Sequence, residues 1–149
     1  MAVTYTIDAS VFVNAFNLGE VGHDTSLAFL SAARAEGASM IAPTLLLAEV
    51  AGAIARGRQD TAVARSLALD IGRLSTLIMV PLDRTLANES ADVAIERRVR
   101  GADAVYAAVA LRFGSTLVTL DREQRERLAP VLTTKSPEEM LAELGGESS

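Results

Sequence analysis

Short β-rich apolar runs alternate along the chain with segments whose apolar residues recur every three or four positions. VTYTID (3–8) reads as a strand ending at Asp8, and SVFVNAFN (10–17) as a helix. HDTSLAFLSAARAEG (23–37) has helical spacing and a stop at Gly37. SMIA (39–42) is a strand, and Pro43 suits the first position of a helix that runs to Arg56, before Gly57. Asp60 caps a helix to about Ser75, TLIMVPL (76–82) is a strand, and Asp83 caps a helix that ends near Arg100. Residues 102 to 113 form a helix that is apolar nearly all round. STLVTL (115–120) is a strand closing at Asp121, and a short basic helical turn follows. APVLTT (129–134) is expected to hold a last strand. Ser136, Pro137 and Glu139 make a capping box for a C-terminal helix.

Strands alternating with helices predict an α/β domain with a mostly parallel sheet and helices on both faces. No internal repeat or linker interrupts the pattern. Residues 1–145 therefore read as one domain, and 146–149 as a disordered tail.

Composition narrows the chemistry. The chain has 149 residues, enough to bury a core. It has no cysteine, which excludes disulfides, thiolate zinc sites and cysteine nucleophiles. Its one histidine, His23, excludes multi-histidine metal sites and argues against a histidine-based triad. His23 is expected at the solvent-exposed start of a helix. No run approaches the ~18 apolar residues of a membrane span. MAVTYTID does not resemble a signal peptide, so the expected location is the cytoplasm. Net charge is −5, unlike a basic nucleic-acid binder. Apart from Lys135, however, every basic residue is arginine, which suits bidentate phosphate contacts.

Four carboxylates stand alone in apolar surroundings. Glu49 is the only charge between Ile41 and Ala55, and its helical neighbours are Leu45, Leu46, Gly52 and Ala53. A carboxylate on such a face is costly unless something pairs with it. Asp8 is the only charge from Met1 to Gly19, Asp103 the only one between Ala102 and Leu111, and Asp121 closes a strand. Each aspartate alone reads as a helix cap. Together they suggest a site, because ligands of open α/β sheets bind at the carboxyl ends of the strands. If the first and fourth strands are neighbours, Asp8 and Asp121 converge.

Several carboxylates in one place need a counter-charge. Oxygen-only ligands suit Mg²⁺ or Mn²⁺. An acidic site of that kind points to phosphate-ester chemistry, with a metal-activated water as nucleophile. Glu49 or Asp103 is a candidate to orient that water. Arg97, Arg98 and Arg100 before Asp103, Arg122 and Arg125 after Asp121, and Arg56 and Arg58 after Glu49 are candidates to hold a nucleic-acid backbone. Arginines at helix C-termini also complement the helix dipole.

The order IDAS, LLLAEV, GADAVYAAVA, LVTLD resembles the PIN-domain nucleases, above all the small VapC-type toxins of bacterial toxin–antitoxin pairs. The resemblance runs from about Val3 to Thr134. It implies a three-layer α/β/α sandwich and a nuclease site of Asp8, Glu49, Asp103 and Asp121, with Asp8, Asp103 and Asp121 as metal ligands. Ser10 and Thr119 match the small polar residues that support such a site. The resemblance further implies an Mg²⁺- or Mn²⁺-dependent endoribonuclease acting on RNA, a dimer, and neutralisation by a small antitoxin. Some members carry a further acidic residue after the last aspartate; Glu123 and Glu126 do not match its spacing convincingly.

Other readings fit less of the sequence. A haloacid-dehalogenase-like phosphatase expects a second Asp where Ser10 stands, and a receiver domain expects a late lysine that Lys135 does not match. A D-x-S-x-S adhesion site would need a serine in place of Phe12. A PIN fold that binds RNA or a partner without cutting would not need all four acids. Phe12, Phe16, Leu27 and Leu30 are expected in the core rather than in a groove for a partner helix.

Overall fold

Side chains alternate between the two faces of an extended strand. In β1 (Thr4–Ile7), Tyr5 and Ile7 share one face and Thr6 takes the other, and all three are buried. A strand buried on both sides belongs inside a sheet that helices cover twice. The computed structural model, which describes residues 3–147, has that arrangement. The other strands are β2 (Ser39–Pro43), β3 (Leu77–Val80), β4 (Thr116–Val118) and β5 (Thr134–Lys135). All neighbours pair in parallel, in the order β3-β2-β1-β4-β5.

Eight helices among the described residues complete an α/β/α sandwich: α1 (Ala9–Phe16), α2 (His23–Ala35), α3 (Leu45–Arg58), α4 (Thr61–Gly72), α5 (Arg84–Arg97), α6 (Gly101–Phe113), α7 (Arg122–Leu128) and α8 (Pro137–Glu147). The sequence apolar all round becomes the innermost helix, as it must. Every residue of α6 from Ala104 to Ala110 is buried. It lies against β1, β2 and β4, with α5 packed outside it. On the Tyr5 face, Phe29 of α2 meets the tyrosine ring edge-on at 5.6 Å, and α2 packs between α1 and α8.

In α3, Leu46, Val50 and Ile54 recur every four residues and are fully buried. Each contributes about 1.5–3 kcal/mol of apolar transfer. Val50→Asp would put an unpaired charge in that stripe and break the packing. Glu49, one residue before Val50, falls at the stripe's edge.

Local signals place most boundaries. Asp60 accepts from Val63 N at 3.1 Å and Asp83 from Leu86 N at 2.9 Å, so both cap their helices. Ser136 and Glu139 form a reciprocal capping box, each bond 3.1 Å. Where boundaries differ from expectation, the backbone bonding shows why in three cases. Pro43 ends β2 instead of starting α3; it pairs with Val80 in register, and Thr44 N continues the ladder to Val80 O at 3.0 Å. Gly57 lies inside α3, which stops at Gln59 in the left-handed region (φ 54°). The last strand starts at Thr134, because Val131 N and Leu132 N bond back to Leu128 O and prolong the turn after α7. Of the tail expected at 146–149, residues 146 and 147 continue α8, and 148 and 149 lie outside the described residues.

The decisive fold feature for function is the β1–β4 pair. Ile7 stands opposite Val118, and Asp8 N donates to Val118 O at 2.9 Å. Chain order reverses across this pair, which opens a crevice at the strands' carboxyl ends.

Candidate active site

Asp8 leaves β1, and Asp121 follows β4 by three residues. Glu49 projects from α3 and Asp103 from the first turn of α6. The fold brings all four to one cleft of about 680 Å³, which Ser10, Glu20, Arg56, Arg100 and Gln124 also line. Arg100 is the one arginine of the expected group Arg97, Arg98, Arg100 and Arg122 that lines it. Arg97 is the last residue of α5, the Arg98 carbonyl accepts from Arg127, and Arg122 pairs with Glu126 at 2.8 Å along α7.

The capping and site roles coexist. Asp8 Oδ2 accepts from Ser10 N at 3.2 Å, capping α1, and lies 3.2 Å from Thr119 Oγ1. Asp121 divides its oxygens: Oδ1 caps α7 through Gln124 N at 3.1 Å, and Oδ2 faces Arg100 Nη2 at 3.1 Å. Arg100 Nε also reaches Asp103 Oδ2 at 3.4 Å. One guanidinium therefore bridges two acids. Asp103 is the third residue of α6, whose N-cap is Arg100, so its carboxylate is not a cap.

Thr119 is fully buried and organises the cleft floor. Asp121 N donates to its hydroxyl at 3.2 Å, and Ser10 Oγ lies 3.5 Å away. With Gln124 Oε1 placed 2.8 Å from Thr119 Oγ1, the hydroxyl has one proton for two acceptors, and Gln124 Nε2 is buried without a partner. Turning the amide over lets Nε2 donate to Thr119, which frees the hydroxyl proton for Asp8. A buried carbonyl oxygen without a partner is tolerated better than a buried orphan donor, so we assign this orientation.

Crowding shows in the electrostatics. Burial raises the Glu49 pKa first, and the nearby Asp8 and Asp103 charges raise it further. Tyr106 opposes them by lending its hydroxyl. That contact falls outside normal hydrogen-bond geometry, since Glu49 Oε1 and Tyr106 Oη are both buried without a bonded partner. Burial, then Glu49, pushes the Tyr106 phenol strongly upward, so it stays neutral. Burial and Asp8 raise Asp103, against the lowering effect of Arg100.

A loop holds the cleft's outer edge. Asn14 Nδ2 donates to Glu20 Oε1 at 2.8 Å and to Val21 O at 2.9 Å, while its Oδ1 accepts from Ser26 Oγ at 2.7 Å. His23 starts α2 as expected but is buried, with Nδ1 3.0 Å from Asn14 O. The expected exposure gives way as the ring packs against α1 and bonds the Asn14 backbone oxygen.

Donor chemistry suits a hard divalent cation. The cleft offers carboxylate and hydroxyl oxygens, an orphaned buried oxygen on Glu49, and two acids whose mutual repulsion a cation would relieve. Among the described residues no three such side chains already stand in a coordination cluster. Arg100, spanning Asp103 and Asp121, supplies counter-charge instead.

Tyr106 and Gln124 are two site residues the sequence does not single out. Both carried a signal. Tyr106 lies three residues after Asp103 on one helix face, and Asp121-x-x-Gln124 has capping-box spacing.

Residues 5–128 match the PIN domain family. The chain belongs to the PIN-domain family. Among curated proteins none matches the sequence significantly. Solved structures do match this PIN domain. VapC20 of Mycobacterium tuberculosis, a sarcin–ricin-loop-cleaving toxin, superposes with a TM-score of 0.70 at 16% identity, over 87% of this chain and 96% of that one. PAE2754 of Pyrobaculum aerophilum gives 0.70 at 25% identity, over 98% and 92%. VapBC2 of Rickettsia felis, bound to a promoter DNA fragment, gives 0.65 at 20% identity, over 90% and 98%. These similarities agree on the fold built above.

Proposed function

We propose that this PIN domain is an Mg²⁺- or Mn²⁺-dependent endoribonuclease that acts as the toxin of a toxin–antitoxin pair. The observation that carries the reading is the meeting of Asp8, Glu49, Asp103 and Asp121, from four separate elements, in one cleft at the β1–β4 crevice. Asp8, Asp103 and Asp121 would hold the metal, and Ser10 and Thr119 would fix Asp8. A bound divalent ion would supply an acidified water and charge for the leaving oxygen. Glu49, whose pKa burial raises above its ordinary value, would orient that water and take its proton. The water oxygen would join phosphorus as the P–O bond to the leaving nucleotide breaks, and the leaving oxygen would take a proton from solvent or the one passed to Glu49.

The toxin role is supported by the fold shared with VapBC proteins. A second surface suits a partner. Phe12 is buried, Phe16 and Leu30 are half-buried, and Leu27 is exposed, and together they line an apolar groove of about 390 Å³. The expectation that all four lie in the core is met by Phe12; Phe16 and Leu30 pack against the core half-buried, and Leu27 is exposed. Such a groove fits an amphipathic antitoxin helix. A homodimer and a cytoplasmic site of action belong to the same proposal. Among the described residues no helix is long and apolar enough to cross a membrane.

The test is cleavage of RNA by the purified chain with Mg²⁺ or Mn²⁺, then with EDTA, beside Asp8→Asn. Metal-dependent cutting that the variant loses supports the proposal. Equal cutting by both proteins overturns it.

A further inference from the structure

Five carboxylates line the cleft, and only Arg56 and Arg100 among its lining residues carry positive charge. A polyanionic strand needs cations to enter such a place. Arg100 is engaged by Asp103 and Asp121. Arg56 makes no hydrogen bond or ion pair among the described residues.

The position of Arg56 is built by α3. Ala48, Glu49, Ala53 and Arg56 all face the cleft, and the last three follow one helical stripe. Side chains on a helix lean toward its N-terminus. From Arg56 that direction leads back along the stripe toward Glu49. Gly52 leaves the path open: a Cβ there would lie 3.1 Å from Arg56 Nη1. Ala53 presents only a methyl group. Arg58, two residues on, turns elsewhere and covers the Phe16 ring at 5.2 Å. Of the two arginines that end α3, one is used in packing and the other is left over the cleft with its donors free.

We infer that Arg56 is a phosphate-binding residue of this cleft, taking the backbone phosphate that flanks the one cut at the acidic floor. The inference rests on the nucleic-acid reading above. Seven residues of α3 separate Arg56 from Glu49, a rise of roughly 10 Å, and the backward lean of the side chain shortens that span. The residue would bind the strand and take no part in the bond-breaking step. Its planar fork would grip two phosphate oxygens at once.

The experiment is fluorescence anisotropy with a labelled single-stranded RNA oligonucleotide and Mg²⁺, in an Asp8→Asn background that cannot cut. Arg56→Gln should weaken binding about tenfold at low salt and lower the salt slope by about 0.7, the loss of one single-strand phosphate contact. Arg56→Lys should recover part of the affinity as a point charge. Arg58→Gln, with the same loss of charge, should change binding less than about twofold. Calorimetric Mn²⁺ affinity should be unchanged in Arg56→Gln, which separates strand binding from metal binding. If Arg56→Gln binds RNA like its parent, or no worse than Arg58→Gln, the inference is overturned and the nuclease reading stands. If the parent binds no RNA, the nucleic-acid reading falls and takes the inference with it.

Discussion

Thr119 Oγ1 stands 3.2 Å from Asp8 Oδ2, across the seam where the first and fourth strands meet. The hydroxyl fixes one carboxylate by donating and the Asp121 backbone by accepting. Thr119→Val keeps the shape and removes both. Stability should fall by about 1–3 kcal/mol in urea unfolding, the cost of buried polar groups left unmade. Metal-dependent cleavage should fall with it, and Thr119→Ser should restore most of both. Wild-type stability in the valine variant would mean that Asp8 is held by other means.

Glu49 makes the metal-free fold sensitive to pH. Burial and its acidic neighbours raise its pKa above the ordinary value of 4.5, so the folded chain holds this proton more tightly than the unfolded chain. Its contribution is full below the ordinary carboxylate range and lost as pH rises through the raised pKa. With EDTA present, Glu49→Gln should therefore be more stable than wild type at about pH 7, by on the order of 0.5–1 kcal/mol given partial exposure. The difference should close below the ordinary range. A variant that is less stable at neutral pH would show that Glu49 is paired rather than stranded.

Arg100 and a divalent cation would claim the same oxygens of Asp103 and Asp121. Arg100→Gln should lower the Mn²⁺ dissociation constant several-fold by calorimetry. The gain should shrink as added salt screens the charges. The Asp103 carboxyl should titrate at still higher pH in carbon-detected NMR, because Arg100 lowers its pKa. Unchanged metal affinity would place the guanidinium outside the binding competition.

Asn14 ties the loop at residues 17–22 to α1 and α2 through Glu20, Val21 and Ser26. Asn14→Ala should cost about 2–3 kcal/mol, because several polar partners are orphaned at once. Amide exchange should quicken across residues 17–22 before it does in β1. Uniform exchange with no local change would contradict a tethering role for this side chain.

Much of this architecture was legible because local chemistry and global packing agree. Asp60, Asp83 and the Ser136–Glu139 pair cap helices where their spacing said they would. The isolation of Asp8, Glu49, Asp103 and Asp121 announced a shared cleft before any fold was known. What escaped depends on long-range geometry. Gly57 carries a stop signal, yet α3 runs two residues past Arg56, with Arg58 over the Phe16 ring, and is capped by Gln59. His23 looks exposed in sequence, and only the Asn14 network buries it. Arg97, Arg98 and Arg122 are near the acids in sequence and outside the cleft in space, while Arg56 reaches it because Gly52 leaves room.

The pairing of β1 with β4 has a consequence for biosynthesis. Asp8 and its neighbour Val118 are separated by more than a hundred peptide bonds, so Asp8 is made well before its partner. A chain elongated past Glu49 but not yet to β4 carries both acids and β2 beside β1, and lacks the strand that completes the crevice. The acidic cleft can close only once β4 and Asp121 have been made, so a chain terminated before them holds Asp8 and Glu49 without the other half of the crevice.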